Sequence, residues 1–376
     1  MPPSAVDRLP LELLETILED AAALASFRSY AARQAFLHSA CLVSKKFDAV
    51  ARPILWREVL IDGYCEVGSY AEQVENWGRY TRTLNVGAGV IFTVWGFWKA
   101  MFRLIEGMPN LEELYLPPSE EEVELGDGEL ALLQGLRRLA LPPVSFSAPL
   151  PVFPNLTALA VRCYTARDPV LNLLSPTRFP ALRSLSFDLT SRLEISHLRV
   201  DPALVAQLAL HDIGENFTGP DRTVVAPTST VLIHHPAQFI ELAREGQLVF
   251  TIPWAIELSY GVLESWPTPE DAAEALRLLD SSIKNNVGNP GICAVVLPSF
   301  LHPAWSSDGP PSGIDAPTWV KMLESSSSVL RRCKEEKVRV FWRREEARNG
   351  TAMRLPLQEL VEFAVNRREA AEAGER

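Results

Sequence analysis

Two hydrophobic periods run along this chain, one after the other. From Leu9 to Pro53 apolar residues recur every three to four positions: Leu14, Ile17, Leu18 and Ala21, then Phe36, Val43, Phe47 and Val50. That spacing predicts amphipathic helices, each with one buried stripe. Pro10 stands where a helix start tolerates proline, with Glu12 and Glu15 near the positive end of the helix dipole. The second helix is predicted to stop at Pro53, because the residue before a proline is pushed out of the helical region. A segment of this size buries little surface by itself, and its ends carry Leu9, Pro10, Leu55 and Trp56, so some of its apolar surface needs a partner.

Behind it the pattern changes to a repeated motif, L-x-x-L-x-L. It is read at Leu111/Leu114/Leu116, Leu136/Leu139/Leu141, Leu156/Leu159/Val161, Leu182/Leu185/Phe187 and Val205/Leu208/Leu210. The first positions step by 25, 20, 26 and 23 residues. A hydrophobic-proline turn introduces three of them, at Met108-Pro109, Phe153-Pro154 and Phe179-Pro180. Thr83–Val86 reads as a partial first strand, and Thr230–Ile233 follows one period after the last unit. Such a unit is a short strand with a return segment, and it buries its apolar face only when a neighbour stacks on it. Steps in this range resemble leucine-rich repeats. The position where that family carries a backbone-capping Asn or Cys holds Ser119, Val144, Tyr164, Thr190 and Ile213, so the repeats are degenerate. An ordinary α/β domain with parallel strands is the alternative reading. Beyond Gly246 strand and helix candidates alternate: 248–252, 269–283, 292–297, 319–334, 338–342 and 355–372. They continue the solenoid with a helical cap or form a small separate α/β domain. Segments 119–129, rich in Glu, and 306–317, rich in Gly, Pro and Ser, are predicted loops.

The N-terminal residues Leu9, Pro10, Leu13, Leu14, Ile17 and Leu18, then Leu42 to Ala51, then Leu55 and Trp56, resemble the F-box in the form common among fungal F-box proteins. The match covers about the first 60 residues, with a longer, alanine-rich middle stretch from Ala21 to Ser39. The resemblance implies a three-helix hook that docks the adaptor subunit of an SCF-type cullin-RING ubiquitin ligase and, through it, a cullin. It implies adaptor contacts from Leu9, Pro10, Leu13, Leu14, Ile17, Leu42, Val43, Leu55 and Trp56. Leu55 and Trp56 are expected to contribute most, because such apolar end residues are costly to leave in water.

Composition narrows the rest. Hydrophobic residues make up 47% and charged residues 22% of 376, as in soluble globular proteins. A net charge of −11 has the wrong sign for broad phosphate neutralisation, so no nucleic-acid partner is expected. Five scattered cysteines without a C-x-x-C pair suit a reducing compartment, and Asp7 and Arg8 interrupt the place of a secretory leader. No membrane span is expected, since the longest greasy stretch, 89–98, falls short of about 18 residues. Localisation is expected to be cytoplasmic or nuclear. No P-loop, nucleophile elbow or zincin motif is present, and His234 and His235 lack acidic or thiol companions at metal-ligand spacing. No catalytic residue, metal or cofactor is therefore expected.

The sequence thus predicts an α/β chain: an F-box hook over 1–60, a degenerate leucine-rich-repeat solenoid with parallel strands over 61–245, and an irregular continuation with a helical cap over 246–376. The expected function is a substrate receptor that binds an unknown protein target through the repeat face. Tyr115, Arg138, Arg162, Asp188, His211 and His234 are the expected target-binding residues, because residues flanking the inward hydrophobes line up across strands. The alternative is a non-catalytic interaction scaffold that recruits no ligase.

Overall fold

The computed structural model describes residues 9–28, 30–61, 67–87, 97–116, 122–147, 149–163, 174–189, 201–213, 228–233, 239–240, 243–244, 253–258, 269–285, 291–304, 314–343 and 355–374. Contacts divide the chain into two units, Met1–Leu114 with Arg344–Gly350, and Tyr115–Arg343 with Thr351–Arg376.

The first unit opens with three helices, α1 (Leu11–Arg28), α2 (Tyr30–Cys41) and α3 (Lys45–Trp56). The Leu14 amide bonds the Pro10 carbonyl at 3.1 Å, which makes Pro10 the entry to α1. Ser44 caps α3, accepting from the Phe47 amide at 3.3 Å. The alanine-rich middle stretch is helical nearly throughout, half of it completing α1 and half forming α2. The expected stop at Pro53 is corrected, because α3 runs one turn further with Pro53 inside it. Side chains from outside the helix hold that last turn. Arg33 donates to the Ile54 carbonyl at 2.6 Å and Thr81 to the Trp56 carbonyl at 3.0 Å, satisfying groups that a helix end leaves orphaned. Leu14, Leu18, Leu37, Ala51, Ile54 and Leu55 form the core of the three helices.

β1 (Glu58–Ile61) follows at once, and the Tyr30 hydroxyl ties it to α2 by donating to the Glu58 carbonyl at 3.1 Å and accepting from the Leu60 amide at 3.0 Å. Burial pushes that phenol up to about 12. After α4 (Val67–Gln73), β2 (Thr83–Val86) pairs parallel with β1. Near its start the chain packs tightly: a Cβ on Gly78 would stand 2.2 Å from the Gly107 carbonyl oxygen. α5 (Phe97–Glu106) leads to β3 (Glu113–Tyr115), within which the chain passes into the second unit.

In the second unit β4 (Val123–Leu125), α6 (Asp127–Leu133), β5 (Arg138–Leu141) and β6 (Val144–Phe146) come first. β4 and the start of α6 occupy part of the expected 119–129 loop, with Val123 and Leu125 buried and Glu124 exposed between them. β7 (Ala158–Cys163), β8 (Ser184–Leu189), α7 (Pro202–Gln207), β9 (Leu210–Ile213), β10 (Thr230–Ile233) and β11 (Trp254–Glu257) follow. The last elements are α8 (Pro269–Asn285), β12 (Ile292–Pro298), α9 (Ala316–Glu335), β13 (Arg339–Arg343) and α10 (Gln358–Glu372). The sheet order of this unit is β5-β7-β8-β9-β10-β11-β12-β13, every pair parallel. β4 and β6 make a separate parallel pair. The protein is thus a mixed α/β chain with a parallel sheet.

A ladder of backbone bonds just before β7, β8 and β9 fixes their register. Thr157 bonds the Arg137 carbonyl, Arg183 that of Thr157 and Ala209 that of Arg183, at 2.8 to 2.9 Å. The buried leucines preceding these rungs are Leu136, Leu156, Leu182 and Leu208. The expected fifth motif is therefore corrected by three residues. Leu208 takes the first leucine's place, Val205 sits in α7, and the strand begins at Leu210. The strand expected at 248–252 lies outside the described residues, and β11 starts just beyond it.

The sheet's inner face packs on α8 and α9. Val231, Ile256, Val295 and Leu297 meet Leu279, Ile283, Met322 and Val329 there. The outer face is covered by the C-terminal segment, where Leu360, Val361 and Ala364 of α10 lie over Leu210, Leu232, Ala255, Ala294 and Val296. The C-terminal helix was expected as an end cap. It lies on a sheet face instead, because the outward positions of these strands are apolar too and demand cover.

Candidate functional site

Two surfaces bear on function. The first is on the N-terminal helices, where the residues singled out from sequence separate by depth. Leu14 and Leu55 are 2% and 3% exposed and fill the core of the three helices. Trp56 is partly buried and stacks on Trp77, ring centroids 5.0 Å apart. Leu55 is thus spent inside its own unit, as is Leu14, which corrects the expected exposure of Leu55, and Trp56 has an aromatic partner already. Leu9 is partly buried and Pro10 exposed.

Four others stand in solvent. Leu13 and Ile17 are each 46% exposed, Leu42 87% and Val43 63%. Leu13 and Ile17 are one turn apart on one face of α1. Leu42 and Val43 form the turn just before α3, and Lys46 at the start of α3 donates to the Leu9 carbonyl at 2.5 Å. That bond sets the start of α1 beside the start of α3, next to the turn that carries Leu42 and Val43. Leu24, also exposed and farther along α1, was missed; it lies two turns beyond Ile17 on the same stripe.

The second surface is the outer sheet face, where target contacts were expected. Tyr115 is partly buried against Ala140, Ala158, Ala160 and Leu355. Arg138 is 4% exposed, donating through Nη1 to Gln358 Oε1 at 3.0 Å and through Nη2 to the Pro356 carbonyl. It is engaged by the chain's own C-terminal segment, which corrects its expected exposure. Arg343 is held similarly, ion-paired with Glu257 and donating to the Leu355 carbonyl at 3.1 Å. Arg162 and Asp188 are paired in register between β7 and β8, and their side chains lie outside the described residues. His234 also lies outside them.

His211 is on the other face. It pairs in register with Leu185 and Val231, so it takes the inward position that Leu139, Leu159 and Leu185 hold in the preceding strands. Burial, with the Arg368 charge adding to it, lowers the imidazole to about 4. Its Nε2 is shielded and without a hydrogen-bond partner. A neutral, inward imidazole replaces a leucine here, which corrects its expected place on the outer face. The 26-residue step from Leu182 to Leu208, repeating that from Leu156 to Leu182, is the sequence signal that reveals this register.

Among the described residues no group of three His, Cys, Asp or Glu is placed to hold a metal ion, and no helix is long and apolar enough to cross a membrane. A cleft of about 510 Å³ beside α9 is lined by Leu301, Leu323, Ser327 and Arg331, among others. No protein-family model matches the chain, and comparison with curated proteins finds no match.

Proposed function

We propose that this chain is the substrate-receptor subunit of an SCF-type cullin-RING ubiquitin ligase. The N-terminal helices act as an F-box, binding the adaptor and through it a cullin. The second unit, an irregular leucine-rich-repeat solenoid, binds the protein target, and catalysis belongs to the other subunits. The observation that carries this reading is the exposure of Leu13, Ile17, Leu42 and Val43 on helices whose own core is already filled by Leu14, Leu37, Ile54 and Leu55. Apolar side chains left in water on a filled helical unit favour association. The solenoid reading is supported by main-sheet strands that follow one another in sequence order, with β4 and β6 set apart as their own pair, and by one repeated backbone bond before β7, β8 and β9.

The test is co-purification of the full chain with the adaptor and a cullin from cell extract. The reading predicts a stable complex of the three. A chain that captures neither, while remaining folded, overturns it in favour of the scaffold that recruits no ligase.

A further inference from the structure

The two faces of the second unit's sheet have different floors. The inner face is built from large side chains such as Leu159, Leu185, Val231 and Ile256. The outer face is floored by alanine under the lead-in to α10, at Ala140, Ala158 and Ala160, and under α10 itself by Ala255 and Ala294 set among Leu210, Leu232 and Val296. The alanine stretch leaves a trough beside a bulkier floor, and close packing then calls for a covering element that fits both. The C-terminal segment supplies that element in two parts. Leu355 and Leu357 lead in, then Leu360, Val361 and Ala364 present a helical stripe.

Polar contacts to the lead-in come from two buried guanidiniums that belong to the sheet. Arg343 donates to the Leu355 carbonyl and Arg138 to the Pro356 carbonyl, each a backbone group, with Gln358 adding one side-chain acceptor. Backbone carbonyls are common to every sequence. A different polypeptide with the same lead-in and stripe therefore satisfies the same donors, as in helix-in-groove recognition. The chain reaches this segment from β13 through 344–354, whose residues are polar apart from Ala347, Gly350, Ala352 and Met353.

We propose that the outer sheet face is a helix-binding groove, and that Leu355–Glu372 is its resident pseudo-ligand, a strap that competes with a protein ligand carrying an apolar-Pro-apolar lead-in and a Leu/Val helical stripe. The proposal deepens the target-binding reading and rests on it for the nature of that ligand. Opening and filling of the groove are measured without adaptor or target, so its failure and the failure of adaptor capture are separate results.

The test uses the full chain. In hydrogen exchange, amides of α10 exchange at least tenfold faster than those of α8, because the strap opens without the unit unfolding. Exchange within tenfold of α8 overturns the proposal. The probe is a fluorescein-labelled synthetic peptide of residues 355–374. A tethered strap has an effective concentration of the order of millimolar, so the wild-type chain resists the peptide. Val361→Asp weakens the strap in place, and this variant binds the peptide at least tenfold more tightly than wild type. Adding Arg138→Ala removes at least tenfold of that affinity. A Val361→Asp chain that binds no peptide overturns the proposal. So does one that loses exchange protection in α8 and β10–β12, since the strap is then part of the core.

Discussion

The molecule carries two apolar surfaces that its folding treats in opposite ways. On the N-terminal helices, Leu13, Ile17, Leu42 and Val43 are left in water above a core that is already complete. On the outer face of the second unit's sheet, an apolar floor is covered by the chain's own C-terminal segment, down to two buried arginines that bond its backbone. The difference teaches where to look for partners. An open surface asks for one, whereas on a closed surface a partner would have to displace the segment already there.

The largest expected effect tests the division between core and surface on the N-terminal helices. Leu55→Ala leaves a cavity among α1, α2 and α3 and destabilises that unit by about 2–5 kcal/mol. Leu42→Ala, at an exposed turn, stays within about 0.5 kcal/mol. Denaturant melts of the two variants check this, and equal midpoints would erase the distinction.

The next prediction sharpens the two faces of the sheet through His211. Its folded value of about 4 lies below the ordinary 6.5, so the unfolded chain binds the proton first as pH falls. Stability is therefore unaffected above about pH 6.5, declines between 6.5 and 4, and is flat below, for a loss of about 3 kcal/mol. His211→Leu restores the residue type of the inward position and removes that slope. Melting temperatures across this window, parallel for both chains, would put His211 back on the open side.

Filling the alanine floor comes third. Ala294→Leu forces bulk against the segment covering the outer face and costs about 1–3 kcal/mol. The damage is confined to α10, read as faster amide exchange there with α8 unchanged. The smallest effect belongs to Gln358→Ala, which removes one acceptor from Arg138 while the Pro356 carbonyl remains. A loss of about 1 kcal/mol is expected in the same exchange measurement.

Local pattern carried much of the fold. The start of α1, the strands at Thr83–Val86 and Thr230–Ile233, and α8 are all visible as short-range periodicity, because neighbours in sequence decide them. Leu136, Leu156 and Leu182 likewise mark the register of the strands that follow. What escaped depended on distant residues. Pro53 stays helical because Arg33 and Thr81 satisfy the carbonyls beyond it. Arg138 reads as a solvated strand residue until Pro356 and Gln358 are brought to it. Leu55 reads as a sticky end until the core of the three helices closes over it. The exposed residues of the candidate adaptor surface were named correctly as apolar, but depth separated Leu13 from Leu14 and Leu42 from Leu55, and sequence alone does not give depth.

The most direct test of the proposed receptor function is a titration of the purified adaptor subunit against three full-length chains: wild type, Leu42→Asp with Val43→Asp, and Leu24→Ala. Contact residues of this kind cost about 2 kcal/mol each when disrupted, so the double variant binds roughly 700-fold more weakly than wild type, with its melting temperature unchanged. Leu24→Ala, at the far end of the same stripe, stays within threefold of wild type. Equal affinity for the adaptor in the wild type and the folded double variant would contradict the assignment of this surface.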